Sequence, residues 1–144
     1  MIEKEKETFK GNLVIDTGPL IDYLSDVGVA EIVQNDIIDN KEVKNIIISP
    51  ITLTEIYYIF CRQKGEDSAK KLTEKIKKAV NIELEFNVRD LAGKYKCERA
   101  LSPADCYVLA TAKINSAIAI FTKEQELLDE LDKEKFDLRI IILE

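Results

Sequence analysis

The chain has 144 residues, of which 46% are hydrophobic, and it carries a formal net charge of −6. That length suits one compact domain and is too short for two ordinary ones, and such a domain needs no disulfide or structural metal to fold. The sequence contains no histidine, which excludes the common zinc-hydrolase sites and both Ser-His-Asp and Cys-His catalysis. Any chemistry must therefore use carboxylates, hydroxyls, lysines or a bound ion.

The acidic charge also argues against binding of nucleic acid through global basicity, because phosphate neutralisation is the usual source of that affinity. A nucleic-acid role would need a local basic patch or metal ions. The cysteines are odd in number and form no C-x-x-C pair, and the N-terminus lacks the apolar core of a signal peptide. No stretch approaches the roughly 20 apolar residues that span a bilayer. We expect a cytoplasmic protein with no membrane association.

Residues 1–11 are interpreted as a charged N-terminal arm, because the opening residues MIEKEKETFK lack a sustained apolar face. They form either a frayed arm or a short appended helix. A single domain is expected to occupy residues 12–144.

Short apolar segments alternate with helical patterns along that domain. The run Ile46-Ile47-Ile48 is β-branched and uninterrupted, as in strands buried on both faces. Ala69, Leu72, Ile76 and Ala79 recur at helical spacing opposite a lysine-rich face. Strands are predicted at 13–15, 46–48, 81–86, 117–121 and 138–143, and helices at about 20–24, 30–40, 50–62, 67–79, 88–99, 103–115 and just after 122. This alternation predicts an α/β fold with a mostly parallel sheet.

Four carboxylates lie where an apolar segment ends or a helix begins, namely those of Asp16, Glu55, Asp105 and Glu124. A carboxylate at such a place is costly unless it binds a cation, caps a helix or reaches water. Asp16 and Glu124 follow strand ends, where open α/β sheets bind ligands. Mg²⁺ and Mn²⁺ prefer oxygen ligands and keep several waters, so a few carboxylates suffice. Together the four acids predict an acidic metal site.

Each acid also has a structural interpretation. Asp16 could cap the helix that begins near Gly18, and Asp105 closes a capping box, Ser102-Pro103-Ala104-Asp105. Glu124 would lie in the first turn of a helix, where acids favour the helix dipole. Glu55 could lie on an exposed polar stripe, although its helix is apolar nearly all round.

The segments around these acids resemble the PIN domain family, and more narrowly its VapC-type ribonuclease toxins of prokaryotic toxin–antitoxin pairs. The matching segments are VIDTGPLI at 14–21, TLTEI at 52–56, ADCYVLATA at 104–112 and FTKE at 121–124. They occur in the family's order and at similar separations. The resemblance covers nearly the whole chain from Asn12 onward.

This resemblance implies a three-layer α/β/α fold around a central, mostly parallel sheet. Asp16, Glu55 and Asp105 match the family's acidic triad, which binds Mg²⁺ or Mn²⁺. Thr17 and Thr122 match hydroxyl positions that support or orient the site. One position departs from the family: the fourth acid is usually Asp in a Thr-x-Asp motif, and here it is Glu124. The side chain is one methylene longer, so we expect it to reach the ion through water or to hold a second ion more loosely. The number of ions, one or two, stays open.

The resemblance further implies a metal-dependent endoribonuclease that acts as a toxin, with a cognate antitoxin protein and a homodimeric state. Helix surfaces near Tyr57, Tyr58 and Phe60 are candidate contacts between chains. A lysine-rich segment follows the Glu55 helix and is a candidate RNA contact, or else an ordinary solvated helix face. The RNA-binding candidates in it are Arg62, Lys64, Lys70 and Lys71.

Two other functions compete with this hypothesis. The first is a PIN-like module that holds RNA or a protein partner without cutting, which the departure at Glu124 favours. The second is a phosphotransfer domain of the receiver or haloacid-dehalogenase type. Those domains need paired acids or Asp-x-Asp at the first strand, whereas Asp16-Thr17-Gly18 supplies a single acid.

Overall fold

Over residues 8–144, which the computed structural model describes, five parallel strands form one sheet with the order β3-β2-β1-β4-β5. The first strand is therefore central, and it pairs through Leu13 with Ile46 on one side and Ile118 on the other. The strands are β1 (Gly11–Ile15), β2 (Val43–Ile48), β3 (Asn81–Ile82), β4 (Ile118–Thr122) and β5 (Ile140–Leu143). The mostly parallel sheet predicted from the alternating pattern is confirmed.

Helices cover both faces of this sheet. They are α1 (Thr17–Ser25), α2 (Ala30–Ile32), which continues into a π-helix (Val33–Ile38), then α3 (Pro50–Lys64), α4 (Glu66–Ala79), α5 (Glu85–Glu98), α6 (Pro103–Ile114) and α7 (Gln125–Lys133). Among these residues, no helix is long and apolar enough to cross a membrane.

Two hydrophobic cores lie on the two faces of the sheet, because successive strand side chains point to opposite sides. Leu13 and Ile15 face the core that α1, the π-helix, α3 and α4 cover. Val14 faces the core that α5, α6 and α7 cover. The three-layer α/β/α fold is thereby confirmed.

The prediction of a strand at 81–86 is correct for its first two residues and wrong for the rest. Only Asn81 and Ile82 pair with β2, and α5 begins at Glu85. The Glu83 N–H still donates to the Ile48 carbonyl at 3.0 Å, and its carboxylate accepts a hydrogen bond from the Leu84 N–H at 2.8 Å. The apolar alternation that suggested a strand includes Phe86, whose side chain is 64% exposed.

The predicted N-terminal arm lies mostly outside the described residues. Of its described part, Phe9 is buried in the core that α1, the π-helix, α3 and α4 cover, and Gly11 begins β1.

Replacing Leu109 by alanine tests the packing of α6 on the sheet. This side chain is 0% exposed, so we expect Leu109→Ala to lower the free energy of unfolding by about 2–5 kcal/mol. Urea denaturation measures the change. Ile114 on the same helix is 43% exposed, so Ile114→Ala should cost only about 0.5 kcal/mol. Equal losses for the two variants would contradict this packing.

Candidate metal centre

Three carboxylates converge at the carboxyl ends of β1 and β4. Asp16, Asp105 and Glu124 each offer an oxygen atom, and these atoms all lie within 4.8 Å of one another. Asp16 and Asp105 are 4% and 6% exposed, and Glu124 is half-buried. The group is therefore a shared, largely buried site.

The sheet topology brings two of these acids together. Asp16 follows β1 and Glu124 lies just beyond β4, and the two strands are parallel neighbours in which Ile15 pairs with Ile120. The Asp16 N–H extends this pairing by donating to the Ile120 carbonyl at 2.9 Å. Because parallel strands end at the same edge of a sheet, both side chains reach the same space.

The capping interpretation fails for Asp16 and holds in part for Asp105, while Glu124 lies at the N-terminus of α7, one position before the first turn that the helix-dipole interpretation expected. Asp16 and Glu124 are the N-cap residues of α1 and α7, yet neither side chain makes a capping hydrogen bond. For α6 the cap is Ser102, whose hydroxyl accepts from the Asp105 N–H at 3.1 Å. Since Ser102 caps the helix, the Asp105 carboxylate is left to face the other acids.

Glu55 lies beside this group and outside it. Its carboxylate accepts a hydrogen bond from the Thr17 hydroxyl at 2.8 Å, and its negative charge contributes to the raised pKa of Asp16. Thr17 is thus a polar bridge between α3 and the turn that carries Asp16. Glu124, and not Glu55, therefore completes the group with the two aspartates. The sequence motifs do not reveal this arrangement.

Thr122 also lies beside the acidic group, because the backbone of α1 at Gly18 passes close to the Thr122 side chain. A Cβ atom on Gly18 would lie 2.7 Å from the Thr122 hydroxyl oxygen and 3.9 Å from an Asp16 carboxylate oxygen. Only glycine therefore lets the first turn of α1 pass so near the end of β4. This places both hydroxyl candidates, Thr17 and Thr122, at the acidic group.

Burial and like charge raise the pKa values of all three carboxyl groups. The pKa of Glu124 rises to about 8, first through burial and then through the negative charges of Asp105 and Asp16. Burial, then the charges of Asp105 and Glu55, raises the pKa of Asp16 to about 7, against the backbone N–H groups of Thr17 and Gly18. Burial also raises the pKa of Asp105, against hydrogen bonds with Glu124 and Ser102.

Within residues 8–144, no ion pair neutralises these carboxyl groups. None of the ion pairs recorded over residues 8–144 involves Asp16, Asp105 or Glu124. Clustered carboxylates resist sharing a site unless a proton or a cation relieves their repulsion. A hard divalent cation, which takes oxygen ligands, fits this donor set.

A second cluster, which sequence patterns do not signal, fixes the helix that follows Glu124. The Arg99 guanidinium stacks 4.0 Å from the centroid of the Phe136 ring. It also donates to three carbonyls at the end of α7, those of Glu130, Glu134 and Lys135. The buried Glu130 carboxylate accepts from the Ala100 N–H at 2.7 Å. These contacts join α7 to the segment that leads into α6, and so hold Glu124 and Asp105 in fixed relation.

The RNA-binding candidates lie on α3 and α4, outside the group of three converging acids. All of them are exposed. The Arg62 guanidinium lies 5.1 Å from the centroid of the Tyr58 ring, and Lys70 pairs with Glu66 at 3.1 Å. Of the candidate contacts between chains, Phe60 is buried and Tyr58 is exposed.

Several solved structures have the same fold. A toxin–antitoxin complex from Klebsiella pneumoniae contains a chain with 22% identity and a TM-score of 0.61, with 80% of this chain and 89% of that chain covered. VapBC2 from Rickettsia felis, bound to a DNA fragment from its promoter, gives 13% identity and a TM-score of 0.64, with 92% and 99% covered. VapBC-1 from nontypeable Haemophilus influenzae gives 18% identity and a TM-score of 0.64, with 91% of this chain and 97% of that chain covered.

Sequence comparison assigns the family. No curated protein sequence matches the chain. The family model of the PIN domain matches residues 13–134, a span that includes all four acids and every strand except β5 and the first residues of β1. The chain belongs to the PIN domain family.

Proposed function

We propose that this protein is a metal-dependent endoribonuclease of the VapC type, the toxin of a toxin–antitoxin pair. PIN domains are generally nucleases, and an acidic cluster suited to that chemistry is present. The single observation that carries the proposal is the convergence of Asp16, Asp105 and Glu124, which no salt bridge within residues 8–144 neutralises. Such a group is unfavourable in a folded protein unless its charge has a use.

The three converging carboxylates are the proposed ligands of Mg²⁺ or Mn²⁺. A bound ion of this kind supplies an activated water and neutralises charge that develops on a phosphodiester. Glu124 offers an oxygen atom within the same 4.8 Å group as the aspartates, so its extra methylene still allows direct ligation. Glu55, held by the Thr17 hydroxyl, is proposed to act from the edge of the site through water.

RNA is the proposed substrate, and a local basic surface would offset the acidic net charge. Between residues 62 and 78 the chain has seven lysines and arginines and only three acids. Cations in such a patch neutralise phosphates and orient the strand. The proposed contacts are Arg62, Lys64, Lys70 and Lys71.

We further propose that the protein acts in the cytoplasm, forms a homodimer and binds a cognate antitoxin. The solved structures with the same fold are described as toxin–antitoxin or VapBC complexes. An antitoxin that covers the acidic site would supply the control that a toxic nuclease needs.

One alternative is a PIN-like module that holds RNA or a protein without cleavage. The observation in its favour is Glu124 in place of the family's usual Asp. Calorimetric titration with Mn²⁺ separates the two functions. An inert module would give only weak, unsaturable heat, whereas the nuclease should give a saturable isotherm.

Asp16→Ala should abolish metal-dependent RNA cleavage. Removing a ligand should lower the rate by more than the roughly 10- to 100-fold typical for the loss of an outer-shell partner of a metal site. Cleavage of labelled RNA with Mn²⁺ measures this. Asp132→Asn changes an exposed acid near the far end of α7 and should keep full activity. Undiminished metal-dependent cleavage by Asp16→Ala would refute the assignment.

The melting temperature of the metal-free protein should fall as the pH rises. The pKa of Glu124 is raised from its ordinary value of 4.5 to about 8, so the folded protein holds a proton that the unfolded chain releases. The stability that protonated Glu124 contributes is fully present below its ordinary pKa of 4.5 and is lost as the pH rises past its raised pKa of about 8. Calorimetry at several pH values measures the fall.

Two comparisons accompany this measurement. Glu124→Gln removes the titrating group, so its melting temperature should depend less on pH. Mn²⁺ competes with the proton and should therefore stabilise the protein more at pH 8 than at pH 5. The proposed site would be contradicted if, without metal, the melting temperatures of the unsubstituted protein and of Glu124→Gln both rose from pH 5 to pH 8.

Light scattering tests the proposed homodimer. We expect a mass twice that of one chain at micromolar concentration and dissociation on dilution. A mass of one chain at every concentration would exclude the dimer and would leave the nuclease assignment untouched.

A further inference from the structure

The outer side of β5 borders a groove with a volume of about 1170 Å³. β5 is the last strand in the sheet order, and within residues 8–144 no further strand pairs with that side. The groove shares no residue with the three converging acids or with the RNA-binding candidates. It is therefore separate from the site described above.

The register of β5 determines which of its backbone groups face this groove. Ala119 pairs with Ile140, and the Ala119 N–H donates to the Arg139 carbonyl at 3.0 Å. In a parallel ladder a residue bonds to the two neighbours of its partner, so the Arg139 carbonyl and the Ile141 N–H point at β4. The N–H and C=O groups of Ile140 and Ile142 point the other way, and both residues line the groove. The groove thus contains the unpaired backbone groups of a sheet edge.

A second wall of the groove comes from the π-helix and the turn that follows it. π-helical segments are rare and occur frequently at functional sites. The charged side chains that line the groove are those of Asp36, Asp39, Lys41, Glu42 and Glu144. The four acids are exposed, and none of them takes part in an ion pair recorded for the described part of the chain. The groove is therefore negatively charged.

Apolar side chains also line the groove, namely those of Phe9, Ile32 and Leu143. Phe9 and Leu143 are buried members of the core, and Ile32 packs against it, so packing holds this surface in place. A ligand in the groove meets a strand edge, apolar surface and negative charge together. An extended polypeptide with basic and apolar residues matches all three, because its own backbone supplies the groups that pair with a strand edge.

Charge disfavours two other occupants. Nucleic acid carries phosphates that the acids of the groove repel. A second copy of this chain would bring the same negatively charged edge against its own kind, and like charges facing each other suppress such pairing. The partner that fits is therefore a basic polypeptide.

We propose that this groove binds an extended, basic segment of a partner protein, which adds to the sheet beside β5. In this mode main-chain hydrogen bonds supply affinity and alternate side chains supply specificity. The outward N–H and C=O groups of Ile140 and Ile142 pair with the segment, while its lysines or arginines face Asp36 and Glu42. The inference goes beyond the proposed nuclease function and does not depend on it.

Peptide binding to variants of the strand edge tests the proposal. The probe is a fluorescent peptide of alternating lysine and valine, KVKVKVK, and its anisotropy with the full-length protein gives the dissociation constant. Ile142→Pro removes one outward N–H, which edge strands tolerate, whereas Ile142→Ala trims the same side chain and keeps that N–H. We expect Ile142→Pro to bind about 10-fold more weakly than Ile142→Ala, the upper end for one net backbone hydrogen bond.

A second pair of variants tests the charge of the groove without touching the strand. Asp36→Asn combined with Glu42→Gln should weaken binding of the same peptide about fivefold, as expected for two exposed charge pairs. Asp90→Asn combined with Glu98→Gln removes the same charge from exposed positions of α5 and should leave the affinity unchanged. The acidic peptide EVEVEVE should not bind the unsubstituted protein.

Four results would overturn the proposal. The first is equal affinity of Ile142→Pro and Ile142→Ala for the lysine peptide. The second is an equal loss for the groove and α5 charge variants, because net charge alone would then attract the peptide. The third is loss of binding on Asp16→Ala, which would place the peptide at the metal centre. The fourth is a lower light-scattering mass for Ile142→Pro than for Ile142→Ala, which would make the edge a contact between two copies of the chain.

Discussion

Repulsion among carboxylates that the fold forces together is the constraint on which the rest of this structure depends. Asp16 and Glu124 meet because β1 and β4 are adjacent and parallel. Asp105 joins them from α6, whose cap is supplied by Ser102. Burial first, and then the negative charges of the neighbouring acids, raise the pKa values of Asp16 and Glu124. The sheet and its two cores must therefore stabilise an arrangement that its own charges oppose.

The packing around the site keeps that arrangement rigid. Small residues on α6 and β4, among them Ala110, Ala112 and Ala119, are fully buried and let helix and sheet lie close together. Gly18 permits a similarly close approach between α1 and the end of β4. Rigid placement matters because a metal centre needs its ligands held near their final geometry before the ion arrives.

The sequence predicted the fold because the local signals agree with one another. Apolar runs such as 46–48, turn residues and helix caps all indicate the same alternation of strands and helices. The failure at 81–86 has a physical cause: β3 is an edge strand in which only Asn81 and Ile82 pair, so apolar residues beyond them face solvent. Phe9 was missed as a core residue because a single aromatic in a charged segment carries no periodicity.

The members of the candidate site were also predictable, because strand ends and family-like motifs mark all four acids. Their relative placement was not. Whether Glu55 or Glu124 lies nearer the aspartates depends on the position of α3 and α7 over the sheet, and Thr17 draws Glu55 into a hydrogen bond of its own. The contacts of Arg99 that hold α7 in place involve backbone carbonyls, which no side-chain pattern reveals.

The three acids come from distant parts of the chain, and this affects how the molecule folds. Asp16, Asp105 and Glu124 meet only once β4 has paired with β1 and α6 has crossed the sheet, so their repulsion opposes the late, non-local steps that limit folding rates in α/β domains. An ion that screens them would speed those steps as well as stabilise the product. The concentration of divalent cations would then govern how quickly a newly made chain reaches its folded state.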